Sequence, residues 1–293
     1  MTVSIIIPVY NVAPYLREGL ASVCAAVENL TDATAEILCV DDGSTDESPE
    51  ILDSLPAPAA PHALRILHQP HKGVSAARNA ALDRATGDLI LFADPDDTVS
   101  PGWIANLIRA AGSADFVWSG YTQDATVCEP TDTGATYADD AIRRRLWRAV
   151  FGYRLRDLTN LILPGGLWTR CGREMAGVWR VAIRRETLGE LRFDTRLSLY
   201  EDAIFLAEFA TRARRLSVVG DCGYTWHVRA SGAMSCGFRE HAVVHKFAVR
   251  DARRRVDPRM THWRGTFLLS ALEVLKLAGP RTALRYVTGK PLK

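Results

Sequence analysis

Over its first 120 residues the chain alternates short apolar runs with helix-patterned segments, and this constrains the fold more than any other feature. Residues 3–7 form a β-branched run stopped by Pro8, and residues 36–40, 64–67, 89–93 and 115–118 are further runs of strand length. After the first run, Leu16, Leu20, Val23, Cys24 and Val27 recur at the spacing of a buried helical stripe. Residues 46–55 repeat a helical pattern with Ile51, Leu52 and Leu55 inward; residues 75–85 follow with Ser75 placed to cap, and then residues 103–111. The prolines of 56–61 exclude helix and mark a loop. This βαβα order predicts a mainly parallel sheet with helices on both faces.

On such sheets ligands sit beyond the carboxyl ends of the strands, so strand-end residues are informative. Those ends read Pro8-Val9-Tyr10-Asn11, Asp41-Asp42-Gly43-Ser44 and Asp94-Pro95-Asp96-Asp97. Three carboxylates at one strand exit repel one another strongly unless something neutralises them. A hard divalent cation held by one or two carboxylates and substrate phosphates would do so; the bland alternative is a polar turn in which Asp97 and Thr98 cap the next helix. Asp41 and Asp42 are one carboxylate more than a helix cap needs, and a buried carboxylate can accept from a pyrimidine imide or ribose hydroxyls. Arg78 lies one turn into a small-residue helix, where it would reach a nucleotide, balance the acidic cluster or simply face solvent. Glu201 and Asp202 open a helix expected over 200–213, either as dipole-favoured capping acids or as a general base. Trp179, Trp226 and His227 offer flat faces and a donor for a sugar, though such aromatics are as often core.

Composition narrows the class. With 47% hydrophobic and 24% charged residues the chain is globular. No run of 18 uncharged apolar residues exists, since residues 267–278 are cut by Glu273 and Lys276, so no spanning helix is expected. The first residues carry no basic region or cleavage site, so no secretory signal is expected. Six cysteines without C-x-x-C spacing read as reduced core thiols of a cytoplasmic protein. Charge is uneven: residues 1–100 hold 5 Lys and Arg against 15 Asp and Glu, and residues 239–293 hold 13 against 4. The acidic front suits a cation-dependent site and the basic end an anionic partner.

Taken together in order across roughly residues 3–235, these motifs resemble the family 2 inverting glycosyltransferases of the GT-A nucleotide-diphospho-sugar fold. The resemblance rests on residues 3–11, Val40 to Asp46, Gly73-Val74-Ser75-Ala76-Ala77-Arg78-Asn79, Asp94-Pro95-Asp96-Asp97 and Glu201-Asp202. It implies a Rossmann-like, mainly parallel α/β sheet with helices on both faces and a C-terminal helical extension. A donor-binding half would span 1–120, an acceptor and catalytic half 121–238, and a basic helical extension 239–293. It implies that Pro8, Val9, Tyr10, Asp41 and Asp42 hold the base with help from Arg78. Asp94 would meet the ribose, with Asp96 and Asp94 at a divalent metal, Mn²⁺ or Mg²⁺. Asp202 would be the catalytic base and Glu201 its neighbour. Implied partners are a nucleoside-diphosphate sugar, UDP-linked foremost, and a glycan or lipid-linked acceptor in bacterial surface polysaccharide synthesis. Two departures stand out: Pro95 replaces a small residue, and Tyr200 precedes the acidic pair where glycine is frequent.

Asp94-Pro95-Asp96-Asp97-Thr98-Val99 also satisfies the opening motif of haloacid-dehalogenase-type phosphatases, and Val218-Val219-Gly220-Asp221 mimics their distal metal loop. Thr225, where a second acid is expected, and the 90 residues of α/β sequence ahead of the motif weigh against it. A further alternative is a sugar-nucleotide-binding module without transfer activity. In the tail, Arg253-Arg254-Arg255 and residues 263–277, with Trp263, Phe267, Leu268, Leu272 and Leu275, read as an interfacial helix on an anionic membrane's inner face, a lid or a dimer contact. No nucleic-acid motif accompanies the charge.

Overall fold

The computed structural model describes residues 1–130, 132–142, 177–197 and 201–229, and in the C-terminal stretch 247, 250–251, 254–255, 264–288 and 290–291. The basic run Arg143-Arg144-Arg145, the expected break at Pro164-Gly165-Gly166, Tyr200, Arg253 and Trp263 lie outside these described residues.

The strands are β1 (Thr2–Val9), β2 (Thr34–Asp41), β3 (Ala63–His68), β4 (Leu89–Phe92) and β5 (Thr98–Val99), then β6 (Phe116–Gln123), β7 (Thr126–Cys128), β8 (Thr136–Ala138), β9 (Val181–Arg184) and β10 (Arg215–Trp226). They form one ten-stranded sheet whose main path runs β3-β2-β1-β4-β9-β6-β10-β5. β1 to β4 pair in parallel, as do β6 and β10. β9 is antiparallel to both β4 and β6, so β6 and β10 point the same way as β1 to β4. The short β5, β7 and β8 are antiparallel to their partners. The sheet is therefore mainly parallel, as expected, with one reversed strand at its centre.

The helices are α1 (Ala13–Glu28), α2 (Ser48–Asp53), α3 (Val74–Leu82), α4 (Trp103–Ala111), α5 (Arg185–Leu188), α6 (Glu201–Phe209) and α7 (Arg264–Thr288). They cover both faces, which is why β1 and β2 are apolar almost throughout rather than alternating. Val3, Ile5, Ile7 and Val9 meet α1, α2 and α4 through Leu16, Leu20, Val23, Leu52 and Trp103. Ile6, with Leu38, Ile90 and Phe92, faces α3, α5 and α6 through Ala77, Ala81, Leu188, Phe205 and Phe209.

Some expectations need correction. Ser75 does not cap α3: the N-cap is Gly73 at φ 90°, a conformation glycine adopts without strain, and Ser75 Oγ donates instead to the Leu197 carbonyl (3.4 Å). Cys24, Cys39 and Cys222 are free, but Cys128 is disulfide-bonded, so the cysteines are not all reduced core thiols. Arg250 is buried, its guanidinium 4.6 Å from the Phe247 ring centroid, and its Nη1 donates to the Arg285, Tyr286 and Lys290 carbonyls that end α7. A cation there satisfies carbonyls that the helix itself leaves open. α7 breaks at Gly279 (φ 80°), ahead of Pro280. Among the described residues no helix is long and apolar enough to cross a membrane.

Candidate active site

The acidic turn after β4 is held from behind. Gly19 of α1 lets that helix lie against it: a Cβ at position 19 would come within 2.5 Å of the Pro95 carbonyl oxygen and 2.9 Å of that of Asp97. One turn on, Ser22 Oγ accepts from the Val99 N–H (3.0 Å). From the other side β10 closes on β5, and the Tyr224 hydroxyl accepts from the Asp94 N–H (3.0 Å) while donating to Asp97 Oδ2 (2.8 Å). The His227 N–H donates to Asp97 Oδ1 (2.8 Å), and Arg229 Nη2 to the Asp96 carbonyl (2.8 Å). Asp97 is thus buried as an inward brace and does not cap the following helix, whose N-cap is Gly102. Asp94 and Asp96 remain partly exposed.

Burial raises all three acids. Asp97 is pushed up to about 8 by burial, with Asp94 adding to it and the bonds from His227 and Tyr224 opposing. Asp94 rises to about 6 by burial, moderated by Arg78. Asp96 is raised by burial as well. Burial thus favours the protonated form of each carboxyl in the turn over what a free carboxyl would show.

Arg78 links groups that lie far apart in the chain. Because Ala77 and Ala81 are small, α3 lies close on β1 and β2 and its arginine is buried. Nη1 donates to Asp202 Oδ1 (2.6 Å) and Glu201 Oε1 (3.1 Å), and Nη2 to Asp94 Oδ1 (3.2 Å). Asp202 Oδ2 also accepts from the Val178 N–H (3.2 Å). One guanidinium faces three carboxylates, and Asp202 is raised to about 7, by burial first and Glu201 next, against the pull of Arg78. Arg78 Nε is buried and, among the described residues, has no hydrogen-bond partner.

Beside this cluster runs an aromatic wall. The Trp179 ring lies nearly parallel to Tyr224 (centroids 5.0 Å) and Trp226 (6.3 Å), with Tyr121 edge-on at 4.7 Å. Trp179 is 4% exposed, so the flat face expected for a sugar belongs here to the core; Trp226 is only partly buried. His227 Nε2 pairs with Thr98 Oγ1 (2.9 Å).

At the ends of β1 and β2, Pro8 and Val9 are buried and Tyr10 is 42% exposed. Asp41 accepts from the Ser44 N–H (3.0 Å) and pairs with His68 Nδ1 (3.1 Å); these bonds hold its carboxyl below its ordinary range although burial alone would raise it. Asp42 accepts from Gln69 Nε2 (2.6 Å), the Lys72 N–H (2.9 Å) and the Gly73 N–H (2.7 Å), with His71 Nδ1 2.9 Å away. The His71 ring stacks on Tyr10 at 4.1 Å and 23°. Sequence reasoning missed His71 and the Val178 N–H; it took the segment Tyr224 to His227 for flat faces and a donor and did not foresee that the Tyr224 hydroxyl braces the turn, although a phenol that becomes buried needs a partner.

A family model described as glycosyl transferase family 2 matches residues 4–174. Among curated proteins, YibD of Escherichia coli (strain K12), an uncharacterized glycosyltransferase, is 30% identical over 235 residues, 77% of this chain and 61% of YibD. The minor teichoic acid biosynthesis protein GgaB of Bacillus subtilis (strain 168) is 26% identical over 231 residues, 78% of this chain and 23% of GgaB. The chain thus spans less than two thirds of either relative. Among solved structures, Staphylococcus aureus TarS 1–349 with UDP-GlcNAc superposes with a TM-score of 0.67 at 19% identity, over 98% of this chain and 78% of that one. The Pyrobaculum calidifontis mannosyltransferase PcManGT with GDP-Man and Mn²⁺ gives 0.54 at 19%, over 98% and 79%. These two likenesses show the fold.

Proposed function

The chain belongs to glycosyltransferase family 2, and on that premise we propose that it is a metal-dependent inverting glycosyltransferase. It would move a sugar from a nucleoside diphosphate, UDP foremost, to a hydroxyl of a glycan or lipid-linked saccharide in surface polysaccharide synthesis. Family membership sets the phosphatase alternative aside. In this reading residues 1–120 bind the donor, 121–238 form the acceptor and catalytic half, and 239–293 are a basic extension.

The observation that carries the reading is one buried guanidinium bonded to Asp94, Glu201 and Asp202. It ties the turn that carries Asp94 to the acidic pair Glu201 and Asp202, which follows more than 100 residues later in the chain. Asp202 is the base. A sugar hydroxyl is a poor nucleophile at neutral pH, so a carboxylate must take its proton as its oxygen attacks the anomeric carbon. The bond to the diphosphate breaks on the opposite side, which inverts that carbon without a covalent enzyme intermediate. Arg78 and the Val178 N–H fix the carboxylate's orientation, and Glu201 keeps its proton affinity up.

The residues at the acidic turn fit a small hard cation. Among the described residues no group of three His, Cys, Asp or Glu side chains could hold an ion alone. Asp94 and Asp96, two partly exposed carboxyls at one strand exit, match the mode in which Mg²⁺ or Mn²⁺ takes one or two carboxylates and the substrate's phosphate oxygens. When bound, the cation would stabilise charge on the departing diphosphate. The Arg78 Nε–H remains available to a donor oxygen. Pro8, Val9, Tyr10, Asp41 and Asp42 would border the base, and Trp226 and His227 the acceptor. The UDP-GlcNAc in the TarS complex and the Mn²⁺ in that of PcManGT support donor class and metal by analogy of fold. An anionic membrane surface suits the extension, where Leu284 and Val287 are exposed on α7 alongside Arg281 and Arg285.

Thermal-shift titration tests the reading. UDP with Mn²⁺ should raise the melting temperature, and Asp96→Ala should abolish the shift. With labelled donor, release of nucleoside diphosphate is expected; inorganic phosphate would overturn the proposal.

A further inference from the structure

Two groups assigned above to the donor's base are both engaged by one side chain of this chain itself. Tyr10 offers an exposed ring face, and His71 lies on it, nearly parallel, with centroids 4.1 Å apart. Asp42 is buried at 2% exposure, and His71 Nδ1 lies 2.9 Å from its Oδ2 and 3.1 Å from its carbonyl oxygen. Both neighbours are acceptors, so the network assigns the proton to Nδ1, which donates to Asp42. The other Asp42 partners are Gln69 Nε2, the Lys72 N–H and the Gly73 N–H at the start of α3. Those three donors hold the carboxylate, while the His71 ring, its Nδ1–H bonded to the Asp42 carbonyl oxygen, fills the space beside Oδ2.

We propose that His71 is a built-in occupant of the base position, which the donor's base must displace. The inference rests on the donor reading of the same site. A flat heterocycle with an in-plane N–H aimed at Asp42 and one face on Tyr10 presents what the imide edge and ring face of a uracil present. Of the four Asp42 partners His71 is the one that can leave. Two are main-chain groups, and Gln69 is bonded end-on at 2.6 Å. The His71 side chain is 53% exposed, in a segment outside helix and strand. Displacement lowers apparent affinity by the fraction of molecules in which the slot is open. His71 thereby sets a threshold that a base able both to stack and to donate in-plane passes more easily than other ligands.

Calorimetric titration of the full chain with UDP, and separately with inorganic diphosphate, each with Mn²⁺, tests this. His71→Ala should bind UDP about three- to tenfold more tightly while its affinity for diphosphate stays unchanged. Tyr10→Ala should bind UDP more weakly. In the wild-type chain, the His71 imidazole resonances should move on adding UDP and stay put with diphosphate. Equal or weaker UDP binding by His71→Ala would show that the imidazole is a co-stacking wall or a bystander, and the proposal falls. If neither protein prefers UDP to diphosphate, the base slot itself is absent, and the donor reading falls with it. If both prefer UDP equally and the resonances stay still, His71 alone is misassigned.

Discussion

The Tyr224 hydroxyl donates to Asp97 at 2.8 Å across 127 residues of chain, and the same oxygen accepts the N–H of Asp94. A single phenol on β10 thus sets both ends of the acidic turn. Tyr224→Phe keeps the ring contacts with Trp103 and Trp179 but leaves a buried carboxyl and an amide each short of a partner. The expected cost is about 1–3 kcal/mol in denaturant unfolding, with weaker Mn²⁺-dependent UDP binding. Unchanged values for both would show the turn to be self-supporting.

Asp202→Asn should retain UDP and Mn²⁺ affinity and lose turnover by roughly 10²- to 10⁴-fold, the range for removing a general base. If Asp202 is the proposed base its carboxylate form is the active one, so kcat/KM of the wild-type chain should fall as pH drops below about 7. A flat profile between pH 5.5 and 8 would remove Asp202 from that role.

The raised acids also predict a stability trend. Asp94, Asp202 and Asp97, at about 6, 7 and 8, bind protons in the folded chain that they release in the unfolded chain above about 4. Where the folded state binds more protons, stability falls as pH rises. Their contribution should therefore lower the melting temperature of the metal-free protein from pH 5 to pH 8. Asp97→Asn should flatten that slope; a slope as steep as that of the parent would contradict the assignment.

Arg78→Met removes the cation shared by three carboxylates and should destabilise the protein by about 3–5 kcal/mol at pH 8, since it strands buried charge. The deficit should shrink at pH 5, where the acids protonate. Equal losses at both pH values, read from urea unfolding, would mean that packing against Phe193 is what the arginine contributes.

For the extension, sedimentation with liposomes rich in anionic lipid should pull down the full chain and release it in high salt. Leu284→Glu with Val287→Glu alters only exposed positions and should abolish pelleting. Pelleting that survives the double change would place the contact elsewhere.

How much of this was legible beforehand follows from the range of each interaction. β1 to β4 and α1 to α4 announce themselves through local periodicity, since Leu16, Leu20 and Val23 meet the same sheet face one turn after another. α4 was read to its end residues. β9 escaped notice: Val181–Arg184 is four residues long and becomes a strand through pairing with β4 and β6, far away in sequence. Strand-end carboxylates were visible as a group because three lie in one motif. Their division of labour was not, since Asp97 turns inward only in the presence of Tyr224 and the His227 N–H. Trp179 likewise reads as a surface ring until Tyr121, Tyr224 and Trp226 close around it.

Gly19 has a reach beyond its size. It sits behind the acidic turn, and its missing side chain is what lets α1 rest on the Pro95 and Asp97 carbonyls. A single methyl there would act as a shim, tilting the loop that carries Asp94 and Asp96, the two acids proposed to hold a cation, without touching either.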